Sequence, residues 1–533
     1  MDDNRIMNEN VSRTLGKDAQ RNNILAAKII ADIVKTTLGP KGMDKMLVDS
    51  FGNIIVTNDG VTILEEMEID HPAAKMMVEI AKTQESEVGD GTTTAVLLAG
   101  KLLEGAEYLL DKKIHPTVVV KGYRIAAEKS LSLINELAMP LKDSNVLRQI
   151  AMTAMTGKGA EGNKEVLASL VVRAVEQITS MHENVGDINL DDIKTEKIKG
   201  EKTGDSELIE GIVLNKERVN QEMPIRVENA HILLVDFPIE LKNPEAETRI
   251  SISSPEQLES FIESEERHIR EIADKIISSG ANVVICQKGI DDVAQYYLAK
   301  AGIFALRRVE RSNMEKISRA VNGKIVSNIN DISIDQLGRA ALVEESKQGN
   351  ESLTFIKGCQ NPRVVTIVIR GGTIHVLDET ERAIRDGLGD VISAIKSGKV
   401  VPGGGAIEIE LARRLRLFAK TVPGKEQLAI EEFASALESI PEALAENAGL
   451  DPIETLTELK RRHEQGLSNE GLNLLNDKIE DAFLAGIVEP LKVKTQAINS
   501  ASEVSTMILR IDDVLVSRNK DTHMERSNYQ GLD

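Results

Sequence analysis

The sequence predicts a multidomain chain in which one helical domain is built from both termini and an α/β domain is inserted between them. Three observations lead there. Residues 1 to about 142 and 403–533 carry mostly helical periodicity. The middle, 212–366, instead alternates strand-like runs with helical patterns, which implies a parallel α/β layer. The length, 533 residues, is material for about three or four domains rather than one.

Taken in order, Ile29, Ile30, Ile33, Val34 and Thr37 make one apolar helix face, and Gly39-Pro40 stops that helix. A short β segment follows, Met46-Leu47-Val48 and Ile54-Ile55-Val56, around Phe51-Gly52-Asn53. Asn58-Asp59-Gly60 reads either as a hairpin turn or as an N-cap with Asp59 opening a helix. Two amphipathic helices come next, Pro72 to about Gln84 and Ala95 to Leu110, and helical patterning continues to Leu141.

From about 143 to 211 a helical pattern gives way to a charged, loose stretch, Asp187 to Gly204. Strands are then expected at Ile232-Leu233-Leu234-Val235, Val283-Val284-Ile285 and Ile303-Phe304-Ala305-Leu306. Between the first two, Ser254-Pro255-Glu256-Gln257 is a capping box with Pro at the first helical position, and Ser279-Gly280 ends that helix. At 1.5 Å per residue it would be about 37 Å long. Leu258, Phe261 and Ile262 at one end and Ile269, Ile272 and Ile276 at the other are apolar, while Glu263 to His268 is entirely polar. Such a helix either projects into water at its centre or lies flat on the surface. Residues 367–402 run from a strand (364–369) through Gly371-Gly372 into a helix holding Arg385-Asp386. Helical patterning resumes after Gly403-Gly404-Gly405, and the polar end, 518–533, is expected to be disordered. No internal repeat is visible.

Composition excludes several function classes. A net charge of −20 argues against a main role on phosphate backbones, and 2% aromatics with no Trp argues against base-stacking platforms. Met1 to Gln20 is polar and not a secretory signal, and no apolar run is long enough to cross a membrane. Cys286 and Cys359 are far apart and form no CxxC, so neither a disulfide framework nor a Cys-based zinc site is expected. These features fit a protein of a reducing cytosol, acting without nucleic acid or membrane.

The chemistry concentrates in Gly89-Asp90-Gly91-Thr92-Thr93-Thr94, a loop that opens directly into a helix. Backbone N–H groups and the helix dipole at such a start favour an anion, and glycines let backbone approach it closely. Asp90 adds a hard oxygen ligand for Mg²⁺. The stretch reads equally as a cradle for a metal-bound polyphosphate or as a capped helix N-terminus. A P-loop needs Gly-Lys followed by Ser or Thr, and no Gly-Lys in the chain is so followed. Gly157 to Gly162 matches GxGxxG, but Ala151 to Thr156 before it reads as helix, whereas a dinucleotide fold requires a strand. Lys158 in that loop could reach a phosphate as a point charge, or be a solvated lysine.

The order of further motifs is similar to that of the chaperonins. Thr37-Leu38-Gly39-Pro40-Lys41-Gly42-Met43-Asp44-Lys45-Met46-Leu47, Asn58-Asp59-Gly60 and Gly89 to Thr94 resemble their ATP-site signatures. The resemblance continues through Thr156-Gly157-Lys158-Gly159, Arg370-Gly371-Gly372-Thr373, Val401-Pro402-Gly403-Gly404-Gly405-Ala406, Leu444 to Pro452 and Glu489 to Ile498. It is nearest the group II type, the archaeal thermosome and its eukaryotic cytosolic relatives. It implies an ATP-hydrolysing subunit of two stacked rings, homo- or hetero-oligomeric, that encloses and folds unfolded proteins in the cytoplasm. The implied domains are equatorial (1–142 and 403–533), intermediate (143–211 and 367–402) and apical (212–366), with a helical lid at about 238–280.

Carried over by position, the resemblance implies that Asp90 binds Mg²⁺ and that Gly91, Thr92, Thr93 and Thr94 cradle the phosphates of ATP. Thr37, Leu38, Gly39 and Pro40 would line the nucleotide, with Gly404, Gly405 and Glu489 on its base and ribose side. Asp386 would position the attacking water with help from Asp59, and Lys158 would sense the γ-phosphate. Two departures stand out: Gly387 where the family usually has Ala, and Ile374 where Glu is common. Weakened closure at Gly387 would leave a ring scaffold that binds nucleotide without useful turnover. A dinucleotide enzyme using Gly157 to Gly162 is the alternative outside this family.

Overall fold

The computed structural model describes residues 11–517 except 49, 160, 182–183, 185, 187, 201, 241–254, 349–350 and 360–363. The tail expected at 518–533, the cap at Ser254 and part of the segment expected as a lid lie outside the described residues. The chain divides into two compact units. One holds the described residues of Met1–Lys142 and Ser397–Asp533, the other Asp143–Lys396.

The first unit is a helical body around the helix Thr92–Asp111, which packs against Gly16–Lys35, Pro72–Glu87, Glu426–Asn447 and Leu491–Leu509. Its sequence is apolar nearly all round, and Leu98, Leu102 and Leu103 are fully buried. Each such side chain contributes about 1.5–3 kcal/mol on burial. Small residues set the closest crossings. A Cβ on Gly100 would lie 2.3 Å from Ala31 Cβ, and one on Gly122 would lie 2.4 Å from Ala429 Cβ. On the first helix Ile30 and Val34 are buried as expected, but Ile29 points to solvent.

Short sheets complete this unit. Lys45–Val48 and Ile54–Thr57 pair as the expected hairpin. Val11–Leu15 pairs antiparallel with Asp513–Ser517. Lys399–Pro402 lies between Val488–Pro490 and Met139–Pro140. The C-terminal part is less purely helical than its pattern suggests: Glu470–Asn473 and Lys478–Asp481 form a hairpin turning at Asp477, whose φ is 52°. At four residues each, these strands are too short for their alternation to register.

The second unit holds two sheets. Ile193–Lys199 runs parallel to Val365–Gly371, which pairs antiparallel with Glu207–Ile209 on its other edge. The stretch expected to be loose therefore contains a strand. Its charges hid the alternation, because Lys194 pairs with Glu196 and Lys197 reaches Asp378 at 2.7 Å. The larger sheet runs Phe304–Leu306, Val283–Cys286, Arg226–Val235, Gly338–Gln348, Glu351–Cys359, Gly211–Leu214, with Ile325–Val326 beside Arg226–Val235. Phe304–Leu306, Val283–Cys286, Arg226–Val235 and Ile325–Val326 are mutually parallel, but Gly338–Gln348, Glu351–Cys359 and Gly211–Leu214 join antiparallel. The expected parallel layer is thus mixed. The parallel strands Val283–Cys286 and Phe304–Leu306 are covered on both faces, which is why they read as unbroken apolar runs.

The long helix spans Pro255–Ser278, 24 residues and about 36 Å. Glu266, Arg267 and His268 are exposed, while Ile269, Ile272 and Ile276 pack into the core, as their polarity predicts. Among the described residues no helix is long and apolar enough to cross a membrane.

Candidate functional site

Asp59 resolves the first ambiguity. It is the N-cap of the helix Gly60–Glu66, its carboxylate accepting from Thr62 N at 2.9 Å and from Thr62 Oγ1 at 2.7 Å. Gly60 sits against the start of the Thr92–Asp111 helix: a Cβ there would lie 2.7 Å from Thr93 Oγ1 and 3.2 Å from Thr92 Oγ1. The cap that carries Asp59 is thus brought beside the threonines.

That helix start is built for something other than self-capping. Its N-cap is Gly91, left-handed at φ 79°, with no side-chain cap and no acid in the first turn. Gly89 is left-handed too, at φ 92°. A side chain at Gly91 is excluded, since a Cβ would lie 2.7 Å from Val493 Cγ1. The buried Gln84 ties the loop down, donating through Nε2 to Asp90 O at 2.8 Å and to Val493 O at 3.2 Å. A helix N-terminus whose first N–H groups lack a capping side chain, preceded by a carboxylate and followed by three hydroxyls, suits a phosphate with its cation.

A second helix start repeats the device. Gly405, at φ 78°, is the N-cap of Ala406–Ala419, again without a side-chain cap. Gly404 is also left-handed, at φ 62°, and exchanges backbone with the hairpin through Leu472 N donating to Gly404 O at 2.8 Å. A Cβ on Gly403 would lie 2.8 Å from Glu489 Oε1, so the glycine run and Glu489 are in contact. The loop Thr37-Leu38-Gly39-Pro40 belongs to the same unit. Asn447 Nδ2 donates to Leu38 O at 2.9 Å, and Leu38 packs with Leu444, Leu472 and Leu474.

Glu489 belongs to a buried charge triad that sequence reasoning missed. Lys494 Nζ lies 2.6 Å from Glu489 Oε2 and 2.8 Å from Glu408 Oε1. Burial pushes the Glu489 carboxyl up, with Lys494 opposing and Glu408 and Asp90 adding to the rise. Burial works against the Lys494 ammonium, but the two carboxylates outweigh it and hold the amine well above the ordinary lysine range. The signal was available: Lys494 is a cation in an otherwise apolar helix face, and Glu408 stands three residues after Gly405 in a first helical turn.

Lys158 and Asp386 lie in the second unit, apart from the residues above in the division of the chain. They pair with each other, on side chains 19% and 9% exposed. Asp386 is on the helix Ile374–Ser397, and Lys158 follows the helix Ser144–Met155 through Gly157, at φ 80°. The helix Ser144–Met155, not a strand, precedes Gly157, so among the described residues this loop lacks the strand a dinucleotide fold requires. Gly387 is buried where the two helices touch; a Cβ there would lie 2.9 Å from Met155 Cε. Ile374 is exposed at its helix's first residue. Cys286 and Cys359 are buried thiols, pushed up to about 12 and about 11 by that burial, which suits neither a nucleophile nor a metal ligand.

Comparison with known proteins finds relatives along nearly the whole chain. A model described as the TCP-1/cpn60 chaperonin family matches residues 30–519. The chain is 55% identical over 515 residues to the thermosome subunit beta of Archaeoglobus fulgidus, covering 96% of this chain and 94% of that one. It is 56% identical over 515 residues to a thermosome subunit of Methanopyrus kandleri, with the same 96% and 94% covered. Among solved structures, the open-state monomer of a group II chaperonin from Methanococcoides burtonii is similar at a TM-score of 0.61 and 45% identity, covering 80% of this chain and 100% of that one.

Proposed function

The chain belongs to the TCP-1/cpn60 chaperonin family, and on that premise we infer that it is an ATP-dependent chaperone, a subunit of a ring that takes unfolded proteins as clients. The observation that carries the reading is the uncapped start of the Thr92–Asp111 helix with Asp90 before it. Phosphoryl transfer to water needs positioning and charge neutralisation more than covalent chemistry. In our reading Gly91, Thr92, Thr93 and Thr94 hold the phosphates, Thr37, Leu38, Gly39 and Pro40 line the nucleotide, and Gly404, Gly405 and Glu489 face its base and ribose.

Mg²⁺ fits Asp90. Among the described residues no group of three or more His, Cys, Asp or Glu could hold a metal. One carboxylate with phosphate oxygens and water is the ordinary Mg²⁺ arrangement, and the ion would neutralise phosphate charge.

For hydrolysis we assign Asp386 the leading part in orienting water. Asp59 assists, because its carboxylate is already engaged in capping. Lys158 senses the γ-phosphate, an anion that competes with Asp386 for its ammonium. The two groups belong to a different compact unit from Asp90, so turnover in this reading depends on domain closure.

The ring is supported by exposed apolar side chains on short two-stranded sheets: Met46 (66%), Val48 (62%) and Phe51 (90%) on one, Leu15 (55%) and Leu515 (56%) on another. Such ribbons are marginal alone and suit partner subunits. Two stacked rings, a built-in lid at about 238–280 and a cytoplasmic setting complete the proposal. Electron microscopy of the purified protein with and without ATP, alongside refolding of a denatured client, tests it. Rings that close with ATP and raise the refolded yield are expected; no ring, or a yield indifferent to ATP, contradicts the reading.

A further inference from the structure

A cavity of about 410 Å³ opens inside the second unit, and none of the residues assigned to nucleotide lines it. Its walls come from the strand Ile193–Lys199, the helix Arg311–Val321 and the helix Ile374–Ser397. Four cations face it: Lys194, Lys216, Lys316 and Arg385.

These cations are not equivalent. Lys194 is satisfied by Glu196 and by Val213 O. Lys216, Lys316 and Arg385 make no ion pair among the described residues. The remaining wall carboxylates, Asp191 and Glu310, are exposed, and Glu310 lies beside Asn313 Nδ2 at 3.4 Å. Lys316 is half-buried; burial pushes its ammonium below the ordinary lysine range, Asp191 opposes this, and Lys194, Arg319 and Arg385 add to it. The neighbouring Asp192 carboxylate is engaged by Arg319 at 2.6 Å. Lys316 is half-buried beside the exposed Arg385, with Asp191 opposing their repulsion but paired with neither, and a bound anion would offset that repulsion.

We propose that this cavity is an oxyanion site and that its ligand is a phosphate group held between Lys316 and Arg385. A guanidinium offers a planar fork and an ammonium a compact point charge; together they suit a tetrahedral dianion. Asn313, also in the wall, has a side-chain amide that can donate a neutral hydrogen bond, whereas the Thr195 hydroxyl donates to Glu381 at 2.7 Å. The volume falls in the range of small-molecule pockets and exceeds what a phosphate alone fills, so the group could arrive as inorganic phosphate or on a phosphate ester. The site is independent of the nucleotide reading, since it uses neither Asp90 nor the threonines.

Equilibrium dialysis of the assembled, nucleotide-free protein against labelled inorganic phosphate tests the site. An Asp90→Ala background removes the proposed Mg²⁺ ligand of the nucleotide site, while Gly91 to Thr94 remain. One saturable phosphate per chain is expected to remain there. Adding Lys316→Met should weaken it about tenfold or more, and Lys316→Arg should keep it, as loss of a charge-assisted bond predicts. Arg385→Gln is the second variant and should weaken binding similarly, so a misfolded Lys316→Met does not decide the matter. If the label stays when ADP is added, it is free phosphate in the cavity; if ADP displaces it and both wall variants leave the affinity unchanged, the phosphate lies at the nucleotide loop and the proposal fails. Absence of saturable phosphate in the Asp90→Ala protein, or unchanged affinity in both wall variants, overturns it and leaves the chaperone reading untouched.

Discussion

The Lys158 ammonium and the Asp386 carboxylate form a largely buried ion pair. The carboxylate proposed to orient water is therefore held by the lysine proposed to sense phosphate, and one partner must let go before the other can act. Lys158→Met should destabilise the nucleotide-free protein by about 1.5–3 kcal/mol by removing one side of a largely buried charge pair. Asp386→Asn added to it should recover most of that loss. Denaturant midpoints of the two single variants and the double variant check this; strictly additive effects would show that the pair carries no coupling.

Among the described residues Lys494 is the one cation paired with both Glu408 and Glu489, at 2.8 and 2.6 Å. Removing one partner of a buried charge group is worse than removing the group. Lys494→Met should cost about 3–5 kcal/mol and weaken ATP binding through Glu489, while Glu408→Gln added to it should return part of the stability. Thermal unfolding and nucleotide titration of both variants decide it. A Lys494→Met protein as stable as the parent would mean the carboxylates are neutral without it.

A pH effect follows from Glu410, which is 1% exposed. Burial alone would push its carboxyl up, but bonds from His463, Arg413 and Arg414 outweigh burial and hold it at about 2, against an ordinary 4.5. The folded value is depressed, so this contribution is complete above the unfolded value and is lost as pH falls from about 4.5 toward 2. Between pH 5 and 3 the parent should lose unfolding free energy faster than Glu410→Gln. Parallel pH profiles for the two would rule out this role.

Much of this was legible from local pattern. The loop Gly89 to Thr94, the hairpin around Phe51-Gly52-Asn53 and the parallel strands at 283–286 and 304–306 follow from turn chemistry and unbroken apolar runs. What escaped depends on partners distant in sequence. The strand Ile193–Lys199 hides behind lysines satisfied by Glu196, Asp378 and Glu381. The pairing of Val11–Leu15 with Asp513–Ser517 joins opposite ends of the chain. The Glu408–Lys494 contact has no periodicity to announce it. Gly387 shows the limit of propensity: glycine loosens a helix, yet here it also admits Met155.

In the proposed mechanism, holding nucleotide and hydrolysing it depend on different residues, Asp90 with its loop for the first and Asp386 for the second. Measuring ATP affinity and single-turnover phosphate release in Asp386→Ala tests this most directly. Affinity within about threefold of the parent and turnover reduced about 100-fold or more are expected. Parental turnover in Asp386→Ala, or loss of ATP binding together with turnover, would contradict it.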